Sequence, residues 1–138
     1  MLKRTMGGVV AAVLAVVPAL YGQAAAPASD PVTDGRRLSE WVAELKADAP
    51  QVRNAAAYEI SGLGPAGAPA VPALIEALDD PIASVRYPVT VALGEIGPAA
   101  AEAVPRLKKM MDEEINDEIA ASAKRAIRHI KPEALSDH

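Results

Sequence analysis

The chain of 138 residues carries 14 basic and 18 acidic side chains, which gives a formal net charge of −4. This mildly acidic balance argues against a general electrostatic attraction to nucleic acid or to anionic lipid. Cysteine is absent, which excludes disulfides, thiolate nucleophiles and cysteine-based metal sites. Apolar residues make up 51% of the chain but aromatic residues only 3%. Small and aliphatic side chains of this kind favour closely packed helices.

The first segment in chain order has the pattern of a secretory signal peptide. A basic start precedes an apolar run from Met6 to about Leu20, and an alanine-rich stretch follows. We therefore predict that residues 1–26 are a signal peptide and that the protein is exported, either to the periplasm or into the medium. Cleavage is expected after Ala24 or after Ala28. The alternative is an uncleaved membrane anchor, although the run is shorter than the roughly 20 apolar residues that span a bilayer.

Residues 27–36 are polar and rich in proline. This composition predicts a flexible linker between the signal segment and the folded part of the chain. We place the folded domain at residues 37–132 and a disordered tail at residues 133–138.

The folded region contains an internal repeat. Two segments, which begin at Val52 and at Val85, match each other at an offset of 33 residues. A third, incomplete copy starts at Ile119, one residue later than the strict period, and residues 38–51 supply the missing first half of the first copy.

Each copy predicts two helices. Apolar residues recur at the spacing of one helix face, in the order Val52, Ala56, Ile60 and Leu63, then Val71, Leu74, Ile75 and Leu78. The first of these helices is expected to end at Gly64-Pro65, and the second to begin near Pro69 or Pro72. Because one helix face cannot be buried alone, the hairpins must stack. We predict an all-α fold, a short α-solenoid (α-α superhelix) of three helical hairpins preceded by an N-terminal signal helix.

The apolar surface at each end of this stack of hairpins must be capped. Trp41, the only tryptophan, lies in the first predicted helix and is expected to close the N-terminal end. Basic residues dominate the last helix and predict a polar cap at the C-terminal end; they are Lys124, Arg125, Arg128 and Lys131.

The strings VRNAAAYEISGLGPAG and VRYPVTVALGEIGPAA, with AVPALIEAL and AVPRLKKMM, resemble HEAT-like repeats of the phycobilisome-lyase type. The resemblance covers residues 38–131. It implies an armadillo-like superhelix whose second helices line a concave face, and a role in protein–protein contact. Asp80 and Arg86 match the turn acid and helix base that such repeats often pair. Ala47 stands where a turn acid is expected and Ala120 where an arginine is expected, so the acid–base pairing is expected to be incomplete along the stack. Glu59 is a separate departure, because the family prefers a small residue there.

The titratable residues predict no active site. His129 lacks a neighbouring nucleophile in the pattern and is expected to be a solvated helix residue. The acidic run at residues 112–118 lacks the glycine-punctuated spacing of a calcium loop and fits a turn and a helix start. The GxGxxG spacing at residues 62–67 follows a predicted helix instead of a strand, so a dinucleotide site is not expected. We expect no enzymatic activity, no cofactor and no metal.

The remaining candidate for function is the surface of the second helices. In the family's pattern, the residues that face away from the core form a concave partner-binding face; they are Asn54, Tyr58, Tyr87, Val91, Glu95, Ser122 and Arg125, with His129 beside them. Tyr58 and Tyr87 lie in adjacent repeats and could form a hot-spot pair. The alternative is that one or both tyrosines pack between the repeats.

Three functions follow from these patterns. The leading hypothesis is a non-enzymatic scaffold that binds an unidentified protein or peptide outside the cytoplasm. The second is an accessory subunit of an enzyme, such as a bilin lyase, which rests on fold-level analogy. The third is a structural fragment that associates with itself end to end.

Overall fold

The computed structural model describes residues 29–136. The predicted signal peptide, residues 1–26, lies outside this range. The described residues are mostly helical, as the repeat predicted. The α-helices are α1 (Leu38–Glu44), α2 (Pro50–Gly62), α3 (Val71–Ala77), α4 (Ala83–Ile96), α5 (Val104–Glu113) and α6 (Asp117–Ile130). Within this range no helix is long and apolar enough to cross a membrane.

The second helices of the three hairpins lie side by side. Helix α4 packs between α2 and α6, whereas α1, α3 and α5 each pack against the helix that follows. The shared core is aliphatic, and its fully buried members include Ile60, Leu74, Leu93, Leu107 and Ile127. Burial of these apolar faces is the main force that holds the hairpins together.

Glycine follows α2 and α4, the first two of the three second helices, as predicted. Gly64 and Gly97 adopt φ values of 55° and 79°, a left-handed conformation that glycine reaches without strain. Beyond each glycine the chain forms a short 3₁₀ segment, Gly64–Ala70 and then Gly97–Ala103. Helix α3 was predicted to begin near Pro69 or near Pro72. It begins at Val71 with Pro72 in its first turn, so the start near Pro72 is correct.

The predicted flexible linker is wrong for residues 32–36, because they form part of a β-hairpin. Strand β1 (Val32–Thr33) pairs antiparallel with β2 (Arg36–Arg37). The two residues between the strands, Asp34 and Gly35, have φ values of 49° and 71°, as a tight two-residue hairpin turn requires. An Asp-Gly pair is a strong sequence signal for this turn, so the hairpin could have been predicted from Asp34-Gly35.

The hairpin covers the N-terminal end of the stack. Trp41 is 6% exposed, its indole Nε1 donates to the carbonyl oxygen of Thr33 at 3.3 Å, and the guanidinium of Arg36 lies 4.0 Å from its ring centroid. The Thr33 hydroxyl donates to Glu59 at 3.3 Å. Glu59, which stands where the family prefers a small residue, thus has a partner in the hairpin.

The predicted disordered tail, residues 133–138, is wrong for residues 133–135. Residues Pro132–Leu135 form a 3₁₀ turn, and Ala134 is 7% exposed. The turn packs against α6, so the folded part of the chain extends through it. Residues 137 and 138 lie outside the described range.

Candidate partner-binding surface

The solvent side of α2, α4 and α6, here called the helix-row face, contains two shallow hollows. The larger, of about 330 Å³, is the tyrosine hollow; it is lined by Asn54, Tyr58, Ala83, Ser84, Tyr87, Asn116, Glu118 and Ile119. The smaller, of about 80 Å³, is the α4–α6 hollow; it is lined by Thr90, Val91, Gly94, Glu95, Ser122, Arg125, Ala126 and His129. Every predicted partner-binding residue lines one of the two.

The two predicted hot-spot tyrosines have different surroundings. Tyr58 is 47% exposed. Tyr87 is half-buried and packs against the hydrophobic core. The alternative in which one tyrosine packs into the molecule therefore holds for Tyr87, and Tyr58 is the more accessible anchor.

Asn54 is held by the neighbouring helix. Its side-chain amide Nδ2 donates to the backbone carbonyl of Ser84, in the first turn of α4. In a regular helix that carbonyl would accept the N–H of residue 88, which is Pro88 and has none. Asn54 therefore satisfies a carbonyl that proline leaves unpaired, and this structural task occupies its amide.

Ser122 was predicted to face a partner, and this prediction is wrong. It is 2% exposed, and its hydroxyl lies 2.6 Å from that of Thr90 in the α4–α6 contact. The Thr90 hydroxyl donates to the carbonyl of Tyr87 at 2.7 Å, so Ser122 donates to Thr90. The helical spacing placed Ser122 correctly on the helix, but small residues let α4 and α6 approach so closely that this position is closed.

The rest of the α4–α6 hollow is more open. Val91 is half-buried, whereas Glu95, Arg125 and His129 are exposed. Glu95 and Arg125 bring opposite charges to the same hollow. His129 has the solvated position that the sequence predicted.

Arginines on the second helices link successive hairpins at the turn edge of the molecule. Arg53 binds Asp80 through two hydrogen bonds, Nε to Oδ2 at 2.6 Å and Nη2 to Oδ1 at 3.0 Å. Arg86 binds Glu114 in the same way, at 2.8 and 3.0 Å. We call these two pairs the arginine ladder. It stops there because α6 carries Ala120 where the other two helices carry arginine.

The ladder differs in detail from the pairing implied by the resemblance. Arg86 donates to the backbone carbonyl of Asp80 at 2.9 Å, and its carboxylate partner is Glu114 of the next hairpin. Arg53 likewise donates to the carbonyl of Ala47 at 2.9 Å. A backbone carbonyl can accept this hydrogen bond whatever side chain the residue carries. Arg53 therefore still binds the first turn, although Ala47 stands where an acid is expected.

A family model for HEAT repeats matches residues 38–128. The chain belongs to the HEAT-repeat family. No curated protein and no solved structure matches the chain. HEAT repeats generally mediate protein–protein interaction.

The ladder carboxylates of these HEAT repeats are stabilised in the ionised form. Burial raises the pKa of Asp80, but hydrogen bonds from Arg53 and from the Ile82 N–H outweigh this, so the pKa lies below its ordinary value. The hydrogen bonds from Arg86 lower the pKa of Glu114, and burial opposes them less strongly. Both acids are therefore charged at neutral pH and occupied by arginine.

Sequence reasoning missed Glu114 as the second ladder acid. The HEAT period of 33 aligns Asp80 with Glu113, but the last repeat contains one extra residue. Had the insertion been placed before the turn, the shifted alignment would have selected Glu114. Among residues 29–136, no group of three or more histidine, aspartate or glutamate side chains is placed to hold a metal ion.

Proposed function

We propose that this HEAT-repeat protein is a non-enzymatic binding module, a short solenoid that holds a partner protein or peptide on its helix-row face. The observation that carries the proposal is Tyr58. This aromatic side chain stays 47% exposed in a hollow of about 330 Å³ to which three helices contribute.

The tyrosine hollow has the chemistry of a protein contact. Tyr58 offers a large ring with a hydroxyl at its tip, a combination that is enriched at binding hot spots. Around it lie polar groups that can fix a partner's orientation, among them the Asn116 amide and the Glu118 carboxylate. The hollow is shallow and open, which suits a protruding peptide or loop better than an enclosed small molecule.

The site of action proposed here is outside the cytoplasm, with the partner in the same compartment. The support is the signal-peptide pattern of residues 1–26. N-terminal sequencing of the protein from fractionated cells tests this: a chain that starts after Ala24 or Ala28 supports export, whereas an intact N-terminus in the membrane fraction supports the anchor.

Two other functions have weaker support. An accessory role beside an enzyme, as in a bilin lyase, has only the resemblance to the phycobilisome-lyase type behind it. End-to-end self-association would bury the basic surface of α6, where Lys124, Arg128 and Lys131 are exposed. Removing these charges from water opposes stacking, so binding of a different protein is the better proposal.

Affinity capture from the exported fraction tests the proposal. We compare the wild-type protein with Tyr58→Ala, and use Val32→Ala as a matched control because Val32 is an apolar residue that is 60% exposed elsewhere. Loss of a hot-spot tyrosine should reduce recovery of the partner by roughly tenfold or more. The helical circular-dichroism signal should be the same for all three proteins. Equal recovery by Tyr58→Ala and the wild type would rule out this site.

A further inference from the structure

The C-terminal end of the molecule contains a groove of about 480 Å³ that shares no residue with the helix-row face. One wall is the start of α5, and the other is the 3₁₀ turn that follows α6. Its exposed apolar lining comes from Ala101 and Pro105, and its charged lining from Lys108, Lys131 and Glu133. We call it the end groove.

The two lysines of the end groove have no carboxylate partner among residues 29–136. Ion pairs hold most of the other basic side chains in this range, whereas Lys108 and Lys131 belong to none of them. Glu133 lines the same groove but forms no ion pair with either lysine. Two ammonium groups and one carboxylate make the lining positive, in a chain whose net charge is −4.

The positive charge continues from the groove along α6. Lys124 and Arg128 lie four residues apart, which places them on one face of this helix, and Lys131 follows at its C-terminal end. All three are exposed, and none of them forms an ion pair within the described residues. A carboxylate that approaches this end of the molecule therefore meets several cations with no acid bound to them.

The turn that carries Lys131 and Glu133 is ordered. The Lys131 N–H donates to the carbonyl of Ile127 at 2.8 Å, and the Ala134 N–H donates to the carbonyl of Lys131 at 3.0 Å. Ala134 is 7% exposed, and the turn packs against α6. The wall of the groove is therefore formed before any partner arrives, which lowers the entropic cost of binding.

The other wall provides a lysine that water covers only in part. Lys108 is half-buried, and the exposed Pro105 lies one helical turn before it on α5. An ion pair formed by a half-buried lysine is screened less by water than one on the open surface. Small apolar surface beside such a lysine suits a partner segment that brings a carboxylate and a small apolar side chain together.

We propose that the end groove docks a segment of a partner protein in which aspartate or glutamate alternates with small apolar residues. The carboxylates pair with Lys108 and Lys131, and the apolar side chains contact Pro105 and Ala101. A short protein segment suits the groove better than an extended polyanion does, because the negative net charge of the chain and Glu133 in the groove repel nucleic acid and anionic lipid. This second docking surface does not depend on the function proposed for the helix-row face.

Fluorescence anisotropy with labelled model peptides tests this assignment on the full chain. The probe is a peptide of alternating glutamate and valine. One control peptide replaces glutamate with glutamine, and another replaces valine with serine. In the groove, we compare the wild type with the double variant Lys108→Gln, Lys131→Gln and with Glu133→Gln. The control double variant Arg37→Gln, Lys46→Gln removes the same charge from exposed residues of the first hairpin, and Tyr58→Ala alters the helix-row face.

We expect the glutamate–valine peptide to bind the wild type more tightly than either control peptide does, and to bind more weakly as salt is raised. The double lysine variant should weaken this binding by roughly tenfold. Glu133→Gln should strengthen it by roughly twofold, because it removes the one repelling charge of the lining. The control double variant and Tyr58→Ala should leave it unchanged.

The assignment is overturned if the glutamate–valine peptide does not bind, if the double lysine variant binds it like the wild type, or if the glutamine peptide binds equally well. A dimer that the double lysine variant dissociates in light scattering would also overturn it, because the occupant would then be a second copy. Anionic phospholipid vesicles that bind the wild type but not the double lysine variant would assign the groove to a lipid surface instead. None of these outcomes bears on the capture experiment with Tyr58→Ala.

Discussion

The side-chain amide of Asn54 on α2 donates a hydrogen bond to the backbone carbonyl of Ser84 on α4. That carbonyl has no helical donor because Pro88 stands four residues later. One repeat thus supplies a hydrogen bond that the next repeat lacks, and the contact ties the first two helices of the row together.

This relationship predicts energetic coupling between Asn54 and Pro88. Asn54→Ala should lower the free energy of unfolding by about 1 kcal/mol, since it leaves the Ser84 carbonyl without a protein donor. In a Pro88→Ala background, the new N–H can donate to the same carbonyl, so Asn54→Ala should cost less. A double-mutant cycle measured by urea unfolding checks this, and strictly additive effects of the two substitutions would count against the contact.

The close approach of α4 and α6 makes Gly94 sensitive to substitution. A Cβ at this position would lie 3.1 Å from the Cα of Ala126, a backbone atom that cannot move alone. Gly94→Ala should therefore destabilise the protein by about 1–3 kcal/mol. Gly62→Ala on α2 is the matched control, because a Cβ there would meet nothing within 4 Å. It should be neutral or slightly stabilising in thermal unfolding, and equal losses for the two variants would contradict the packing described.

The arginine ladder predicts a loss of stability in acid. Asp80 and Glu114 have pKa values below their ordinary values of 3.8 and 4.5. Their contribution is therefore complete above the ordinary values and is lost as the pH falls through the lowered ones. Urea unfolding at pH 7 and at pH 3 should show a smaller fall for the double variant Asp80→Asn, Glu114→Gln than for the wild type. The same fall in both proteins would mean that other carboxyl groups cause the acid sensitivity.

Solvent exposure should rank the ion pairs at neutral pH. The side chains of Arg53 and Asp80 are 13% and 6% exposed, whereas those of Arg106 and Asp79 are 30% and 64% exposed. Arg53→Ala should lower the melting temperature clearly, and Arg106→Ala should change it little, because exposed ion pairs are screened by water. Similar melting temperatures for the two variants would mean that the arginine ladder does not stabilise the contact between repeats.

The fluorescence of Trp41, the only tryptophan of the chain, should show whether the N-terminal hairpin covers the indole. A chain that lacks residues 1–36 loses the hairpin contacts of the indole, whereas one that lacks residues 1–28 keeps them. Tryptophan emission should therefore be red-shifted in the shorter chain only. Identical emission spectra would show that the hairpin does not cover Trp41 in solution.

The sequence predicted the helices better than the surface. Apolar spacing and the Gly-Pro pairs placed the three hairpins because these signals are local. The burial of Ser122 depends on how near α6 comes to α4, and this distance is set by small residues on both helices, Gly94 and Ala126 among them. The role of Asn54 required knowing which carbonyl Pro88 leaves unpaired on another helix. The hairpin at residues 32–37 was missed because a proline-rich composition outweighed a clear Asp-Gly turn signal.

The proposed function depends on the binding of a partner protein to the helix-row face. A photo-crosslinking amino acid placed at position 58 tests this most directly in the cells that make the protein, with the same amino acid at the exposed position of Glu76 on α3 as the control. We expect a discrete crosslinked product from position 58 that is absent from position 76. No product from position 58, or the same product from both positions, would contradict it.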